Sequence, residues 1–183
     1  MAGSVARMEI GALASAFLVG VASGGRSMTG LAAIALTTRP GTASPVLDRA
    51  ATAPGRAVLT VAAAGELVGD KLPNTPSRLL PLGLSSRVAA GAAGGAALAL
   101  RSRGNPGLAA VCGGVGAVAG SYAGATWRRW AGTERVTAFA AAVTEDLLTV
   151  ATAVLACALA PQRDVSASGR SRRASLWRVR RNG

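Results

Sequence analysis

The sequence predicts an all-α, polytopic helical membrane bundle of about five embedded segments, with a broken first helix and glycine-rich packing between helices. Three observations carry that prediction. Half of the 183 residues are hydrophobic and 15% are charged, with Ala, Gly, Val and Leu supplying most of the apolar content and aromatics only 3%. A water-soluble domain with so few large side chains has little from which to build a core. The charges are also clustered, and residues 10–22, 31–38, 107–126 and 147–160 contain no Asp, Glu, Lys or Arg. Finally, GLAAVCGGVGAVAGSYAGAT at 107–126 supplies the ~20 uncharged residues that cross a hydrocarbon core of about 30 Å.

The first apolar region runs from Ile10 to Thr38, too long for one straight span, and SGGRSMTG interrupts it. Gly24 and Gly25 relax the helix there, so a broken or re-entrant segment is expected. A cleavable signal peptide is the rival reading, with Arg7 ahead of the apolar run and small residues around Ala22 and Ser23. Glu9 and the return of apolar sequence after residue 30 keep the segment in the mature structure. Residues 39–56 hold three prolines and read as a loop, and an apolar segment follows at 57–69. Pro73 disfavours helical geometry at Leu72, so this helix is expected to finish near Lys71.

NTPSRLLPLG then reads as a turn-rich connector, and Arg87 opens the helical stretch RVAAGAAGGAALAL. RSRGNPG breaks the chain before the span at 107–126. WRRWAGTER leads into the last span, VTAFAAAVTEDLLTVATAVLACALA at 136–160. Trp127 and Trp130 around Arg128 and Arg129 read as an interfacial belt or as a solvated basic turn. Gly116, Gly120 and Gly124 recur every four residues, as do Gly91 and Gly95. Such faces let transmembrane helices approach closely, within one bundle or between copies in a homo-oligomer.

Residues 1–160 thus form a helical transmembrane domain, and 161–183 an arginine-rich tail expected to be disordered. Five embedded segments put the termini on opposite sides, and the tail places the C-terminus in the cytoplasm of a multi-pass cell-membrane protein. The net charge of +12 invites a nucleic-acid reading. Beside a membrane span, a basic tail containing Trp177 is expected instead to lie on anionic lipid headgroups of the bilayer.

With no histidine anywhere in the chain, His-based metal sites, Ser-His-Asp or Cys-His catalysis and histidine pH sensing are excluded. Cys112 and Cys157 lie in apolar runs and read as small buried thiols. No catalytic residue, metal site or cofactor is indicated.

The candidate functional residues are charges inside apolar sequence. Glu145 and Asp146 occupy positions 10 and 11 of the last span, where an ionised carboxylate costs ~3 kcal/mol on insertion scales. Adjacent helix positions differ by about 100°, so only one of them can point squarely at a given neighbour. Thr149, within one turn of both, can donate a hydroxyl hydrogen bond to either. Arg26, also inside an apolar region, is the expected counter-ion, and a carboxyl kept protonated by desolvation is the alternative. Glu66 and Asp70 share a helix face, with Glu66 deeper by about 6 Å. Asp70 and Lys71 are expected as a charged collar at the membrane surface, and Pro73, Pro76 and Arg78 as the interfacial exit turn.

An internal repeat is a further expectation. Arg26-x-x-x-Gly30 is matched by Arg87-x-x-x-Gly91, and each half supplies an acidic pair. Duplicated halves that meet at a mid-membrane site are typical of transporters.

Taken together, GGRSMTGLAAIAL, GELVGDKLPNTPSR, SSRVAAGAAGGAAL, GAVAGSYAGATWRR and the Glu145–Asp146 pair resemble the uncharacterised bacterial membrane proteins grouped as domain-of-unknown-function family 4126. The resemblance covers about residues 10–160 and implies a small polytopic inner-membrane protein, with no reaction or substrate attached. The matching positions are Arg26, Ser27 and Thr29, then Glu66, Asp70, Lys71, Pro73, Thr75, Pro76 and Arg78, then Glu145 and Asp146.

Three functions fit these residues. The leading one is a transporter-like or channel-like protein whose carboxylates bind a cation or proton, with Arg26, Glu66, Glu145 and Asp146 converging inside the bundle. The second is a non-transporting scaffold whose charges fix helix register. The third is a membrane phosphatase or transferase, since SGGRSMTG could cradle an anion and is similar to the Arg-Ser loop of membrane polyprenyl-pyrophosphate phosphatases. The absent histidine and the different acidic spacing depart from that family.

Overall fold

The computed structural model describes residues 2–42, 44–69, 81–133, 137–160 and 162, with side-chain environments from Glu9 onward. All regular structure among them is helical: α1 (Ala2–Gly25), α2 (Ser27–Thr37), α3 (Pro45–Ala50), α4 (Ala53–Gly69), α5 (Pro81–Ser102), α6 (Pro106–Thr133) and α7 (Ala138–Leu159). Of these, α6 and α7 are long and apolar enough to cross a membrane, while Glu9–Gly25 of α1 and all of α2 are shorter apolar helices.

The expected break in the first apolar region is a single residue. Arg26 is extended, at φ −145° and ψ 111°, and joins the two helices. The prolines behave differently from expectation. Residues 39–56 are not one loop, because Pro45 starts α3 and Pro54 lies in the first turn of α4. Pro81 likewise starts α5 six residues before Arg87, which therefore sits inside the helix rather than at its opening. Proline suits the first turn of a helix because its fixed φ is already helical and its missing N–H has no partner to lose there. At α7 the side chain of Thr137 accepts the Ala140 amide at 3.2 Å and caps the helix start. The expected helix end near Lys71, the interfacial residues Asp70, Lys71, Pro73, Pro76 and Arg78, and the tail beyond Gln162 lie outside the described residues.

Helix α1 is central, packed against α2, α5, α6 and α7. Its contact with α6 is backbone on backbone: Gly20 faces the Gly113 carbonyl, and Gly116 and Gly120 face Phe17 and Val21. A Cβ added to Gly24 would lie 2.6 Å from the Ser121 amide nitrogen, and one on Gly91 of α5 would lie 2.6 Å from the Gly113 carbonyl oxygen. Gly95 meets Ala109 on the same face. These close approaches carry the dispersion contacts that bulky side chains supply elsewhere. Gly124 departs from the pattern, since its nearest neighbour is the Glu145 carboxylate rather than a helix backbone.

Larger side chains fill the remaining interior, with Val19, Ile34, Leu98 and Ala156 in one buried cluster. On the outside of α6 and α7, Val111, Val115, Leu147, Leu148 and Val154 are exposed.

Candidate charged site at the helix break

Ending α1 at Gly25 and restarting at Ser27 strands backbone groups at both helix ends, and side chains from other helices take them up. Glu66, on α4, accepts the Ser27 amide at 2.7 Å through Oε1 and the Met28 amide at 2.9 Å through Oε2. A carboxylate here satisfies two orphan donors and complements the positive end of the α2 dipole. Arg26, in the N-cap position, makes no side-chain cap bond of its own. On the opposite side, Nη1 of Arg87 donates to the carbonyls of Gly24 and Gly25 at 2.9 and 2.8 Å. This places a cation on the negative end of α1. Nη2 of Arg87 lies 3.9 Å from Glu66 Oε1 and links the two caps.

Arg26 itself turns toward α7. Its Nε and Nη2 donate to Asp146 Oδ1 at 2.9 and 2.6 Å, and its Nη1 approaches the Glu66 backbone carbonyl at 3.5 Å. The residue is 1% exposed. So isolated a guanidinium is tolerable only when paired, and removing one partner of such a buried pair is strongly destabilising. The break thus gathers two arginines and two carboxylates, drawn from the break itself, α4, α5 and α7.

Glu145, one position before Asp146, points about 100° away and accepts Nε of Arg128, on α6, at 2.7 Å. Of the four charges expected to converge, Arg26, Glu66 and Asp146 are in direct contact at the break, while Glu145 pairs with Arg128. Thr149 is buried with its Oγ1 against Gly25, where an added Cβ would lie 2.5 Å away. Among the described residues no hydrogen bond joins it to either carboxylate.

Two participants were missed from the sequence, and one of them had a usable signal. Arg87 is the only charged residue in 79–100, so the argument applied to Arg26 applied to it as well. Arg128 reads from the sequence as part of an interfacial belt or of a solvated basic turn, and neither reading points to Glu145; the rings of Trp127 and Trp130 beside it lie 5.2 Å apart. The internal repeat is not reproduced locally, because Arg26 sits in a break and Arg87 within continuous α5.

Capping by a distant arginine recurs. Arg56 donates to the carbonyls of Ala35 and Thr38 at the end of α2, at 3.1 and 2.7 Å. Arg101 donates to those of Cys157 and Ala160 at the end of α7, both at 2.6 Å. As for an anion at SGGRSMTG, the Ser27 and Met28 amides that would cradle it are held by Glu66. No cluster of three or more potential metal ligands occurs among the described residues. No family model, characterised protein or solved structure matches the chain, so the family resemblance rests on the motif residues themselves.

Proposed function

We propose that the chain is a multi-pass integral membrane protein of the cell membrane, transporter-like, in which Glu66 and Asp146 bind a proton or cation at the α1–α2 break with Arg26 as counter-ion. The observation that carries this reading is the break: both half-helix ends are closed by ionisable side chains from other helices rather than by local caps. Discontinuous helices with charge at their inner ends are the usual substrate and ion sites of secondary transporters. The distribution of polarity supports the membrane placement. Val111 and Leu147, on α6 and α7, are 65% and 67% exposed while Arg26 is 1% exposed, the arrangement a protein adopts when its solvent is lipid. In this reading α4, α5 and the α1–α2 pair complete five embedded segments, the basic tail lies on anionic headgroups, and the C-terminus is cytoplasmic.

A proton or cation reaching Asp146 weakens its hold on Arg26, and one reaching Glu66 weakens its hold on the start of α2. Either event frees the break to move. Proteoliposomes loaded with a pH-sensitive dye test this reading. Dissipation of an imposed pH gradient by the intact protein, lost in Asp146→Asn and Glu66→Gln, is the expected result. Intact protein that leaks no faster than empty vesicles contradicts it.

A second reading, the non-transporting scaffold, is favoured by the direct contact of Arg26 with Asp146 at 2.6 Å. On that reading the same substitutions lower the melting temperature and no flux exists to lose.

A further inference from the structure

A cleft of about 240 Å³ opens between α1, α6 and α7. A cavity of about 150 Å³ holds benzene, so this one takes a longer apolar segment. On α7 the lining runs from Glu145 to Thr152, seven residues and so about 10 Å along the helix axis. Val21, Ala22 and Leu148 supply apolar walls, and Gly120 and Gly124 leave the α6 wall bare. Polar groups of the lining are turned to the protein. The Trp127 indole N–H donates to the Ala141 carbonyl at 3.2 Å, the Thr152 hydroxyl donates to the Leu148 carbonyl at 2.7 Å, and Glu145 accepts Nε of Arg128. What the cleft offers a ligand is therefore apolar surface, drawn out along the helices. It is too narrow for a second helix, whose diameter is ~10 Å.

The end of the cleft at Trp127 has a different chemistry. Arg128 lies beside the lining rather than in it, joined to it through Glu145. That bond uses Nε, and the Nη groups of Arg128 make no other bond among the described residues. The Arg128 side chain is 40% exposed. Arg129 follows, also exposed, with one bond from Nη2 to Thr126 Oγ1 at 3.3 Å. Trp127 and Trp130 flank the two arginines, and tryptophan settles at the headgroup level of a bilayer. No residue of α6 is acidic, so among the described residues this end of the helix keeps positive charge after Arg128 has paired with Glu145. Guanidinium groups take phosphate oxygens through paired N–H donors, and basic sites beside transmembrane helices bind anionic headgroups. A phosphate reaching the Nη groups leaves the Glu145 pair intact, so its binding strands no buried charge.

We infer that this cleft is a binding site for an anionic phospholipid: one acyl chain lies along α7 between Val21, Leu148 and Gly120, and the phosphate sits on Arg128 and Arg129. The inference rests on the membrane placement proposed above and on no step of transport at the break.

Trp127 is the natural reporter. The full chain carrying Trp130→Phe and Trp177→Phe is reconstituted in phosphatidylcholine vesicles in which one lipid in ten is phosphatidylglycerol with brominated acyl chains, and quenching of the remaining tryptophan is measured. Quenching at least threefold stronger than by the same fraction of brominated phosphatidylcholine is expected. Gly124→Leu, whose Cβ makes ordinary contact at 3.5 Å from Glu145 Oε1 and whose side chain fills the cleft, is expected to bring the two lipids level. Arg128→Lys, which keeps a cation for Glu145 but loses the Nη groups, and Arg129→Gln, at an exposed position, are each expected to halve the difference. Equal quenching by the two lipids with the cleft open would overturn the inference. So would a phosphatidylglycerol preference untouched by Gly124→Leu, which would put headgroups on the arginines with no chain in the cleft. Vesicles made wholly of brominated phosphatidylcholine check the membrane placement by itself. Trp127 unquenched there would remove placement and site together, whereas quenching there without a phosphatidylglycerol preference would remove the site alone.

Discussion

Helix α1 is held by two unlike kinds of contact along its length. Between Phe17 and Gly24 it meets α6 mainly through bare backbone, with Gly20, Gly113, Gly116 and Gly120 opening the seam and the buried Ser121 hydroxyl reaching the Gly24 carbonyl at its end. At Gly25 to Ser27 it is held by charge, through Arg87 on the α1 carbonyls, Glu66 on the α2 amides and Asp146 on Arg26. The difference follows from what the backbone offers. Where the helix is continuous its polar groups are satisfied internally and only close packing remains to be gained; where it breaks, each freed N–H and C=O needs a partner. The composition reflects both demands, with glycine and alanine for the seam and a few charges spent at one turn.

The comparison breaks most easily at Arg26. Arg26→Gln removes the buried cation from the partly buried Asp146 and is expected to cost up to about 3 kcal/mol, read as a loss of thermal stability in micelles. Adding Asp146→Asn to the same chain is expected to return part of that loss, because the unpaired charge is gone. A double variant as unstable as the sum of the singles would mean that the pair does not act as a unit.

The seam is the next most sensitive. Gly113→Val drives side-chain atoms into the Gly91 carbonyl, and overpacking of this kind costs about 1–3 kcal/mol. Gly132, also on α6, has nothing within 4 Å of an added Cβ. Gly132→Ala is therefore expected to leave stability unchanged or raise it by up to about 1 kcal/mol. Equal losses at both positions would remove the seam from the account.

Glu66→Gln sharpens the charged side. Glutamine keeps the length and one accepting oxygen but loses the charge on the α2 dipole, an effect in the range of helix caps, about 0.5–2 kcal/mol. Amide hydrogen exchange at Ser27 and Met28 is expected to accelerate more than exchange along the glycine seam.

The smallest effect lies away from both regions. Asp48 accepts the Thr42 hydroxyl at 2.7 Å, the Thr42 amide at 2.8 Å and the Gly41 amide at 3.0 Å. These bonds, the hydroxyl first, hold its pKa below the ordinary aspartate value. A lowered carboxylate stabilises its loop at pH above that ordinary value and loses the contribution as pH falls through the folded one. Protection of the Gly41 and Thr42 amides, measured against their intrinsic exchange rates, is therefore expected to fall as the pH drops below about 4, and Asp48→Asn to remove that acid dependence.

Much of this was legible in the sequence, for reasons that differ by residue. Charge-free runs marked α6 and α7, and the paired glycines before Arg26 marked the break. That Arg26 would meet a carboxylate of the Glu145–Asp146 pair followed from charges stranded in apolar sequence with few other partners. Pro45, Pro54 and Pro81 misled, because proline is excluded from helix interiors yet welcome in their first turn, and spacing alone does not separate those cases. Which of Glu145 and Asp146 would face Arg26 depended on the rotation of α7 about its axis, a property of packing rather than of sequence. Arg87 and Arg128 each stand in a more familiar sequence pattern, a helix opening and a Trp-flanked basic pair, and those patterns do not point to their partners.

The central claim is that the break is a moving part, and a reversible lock tests it most directly. A Cβ on Gly25 would lie 3.5 Å from the Cβ of Thr149, within the ~3.5–4.5 Å that a disulfide bridges. The chain carrying Gly25→Cys and Thr149→Cys, with Cys112 and Cys157 replaced by alanine, can be oxidised to tie the break to α7. The account predicts that proton flux in liposomes stops on oxidation and returns on reduction. Equal flux in the oxidised and reduced protein would contradict it.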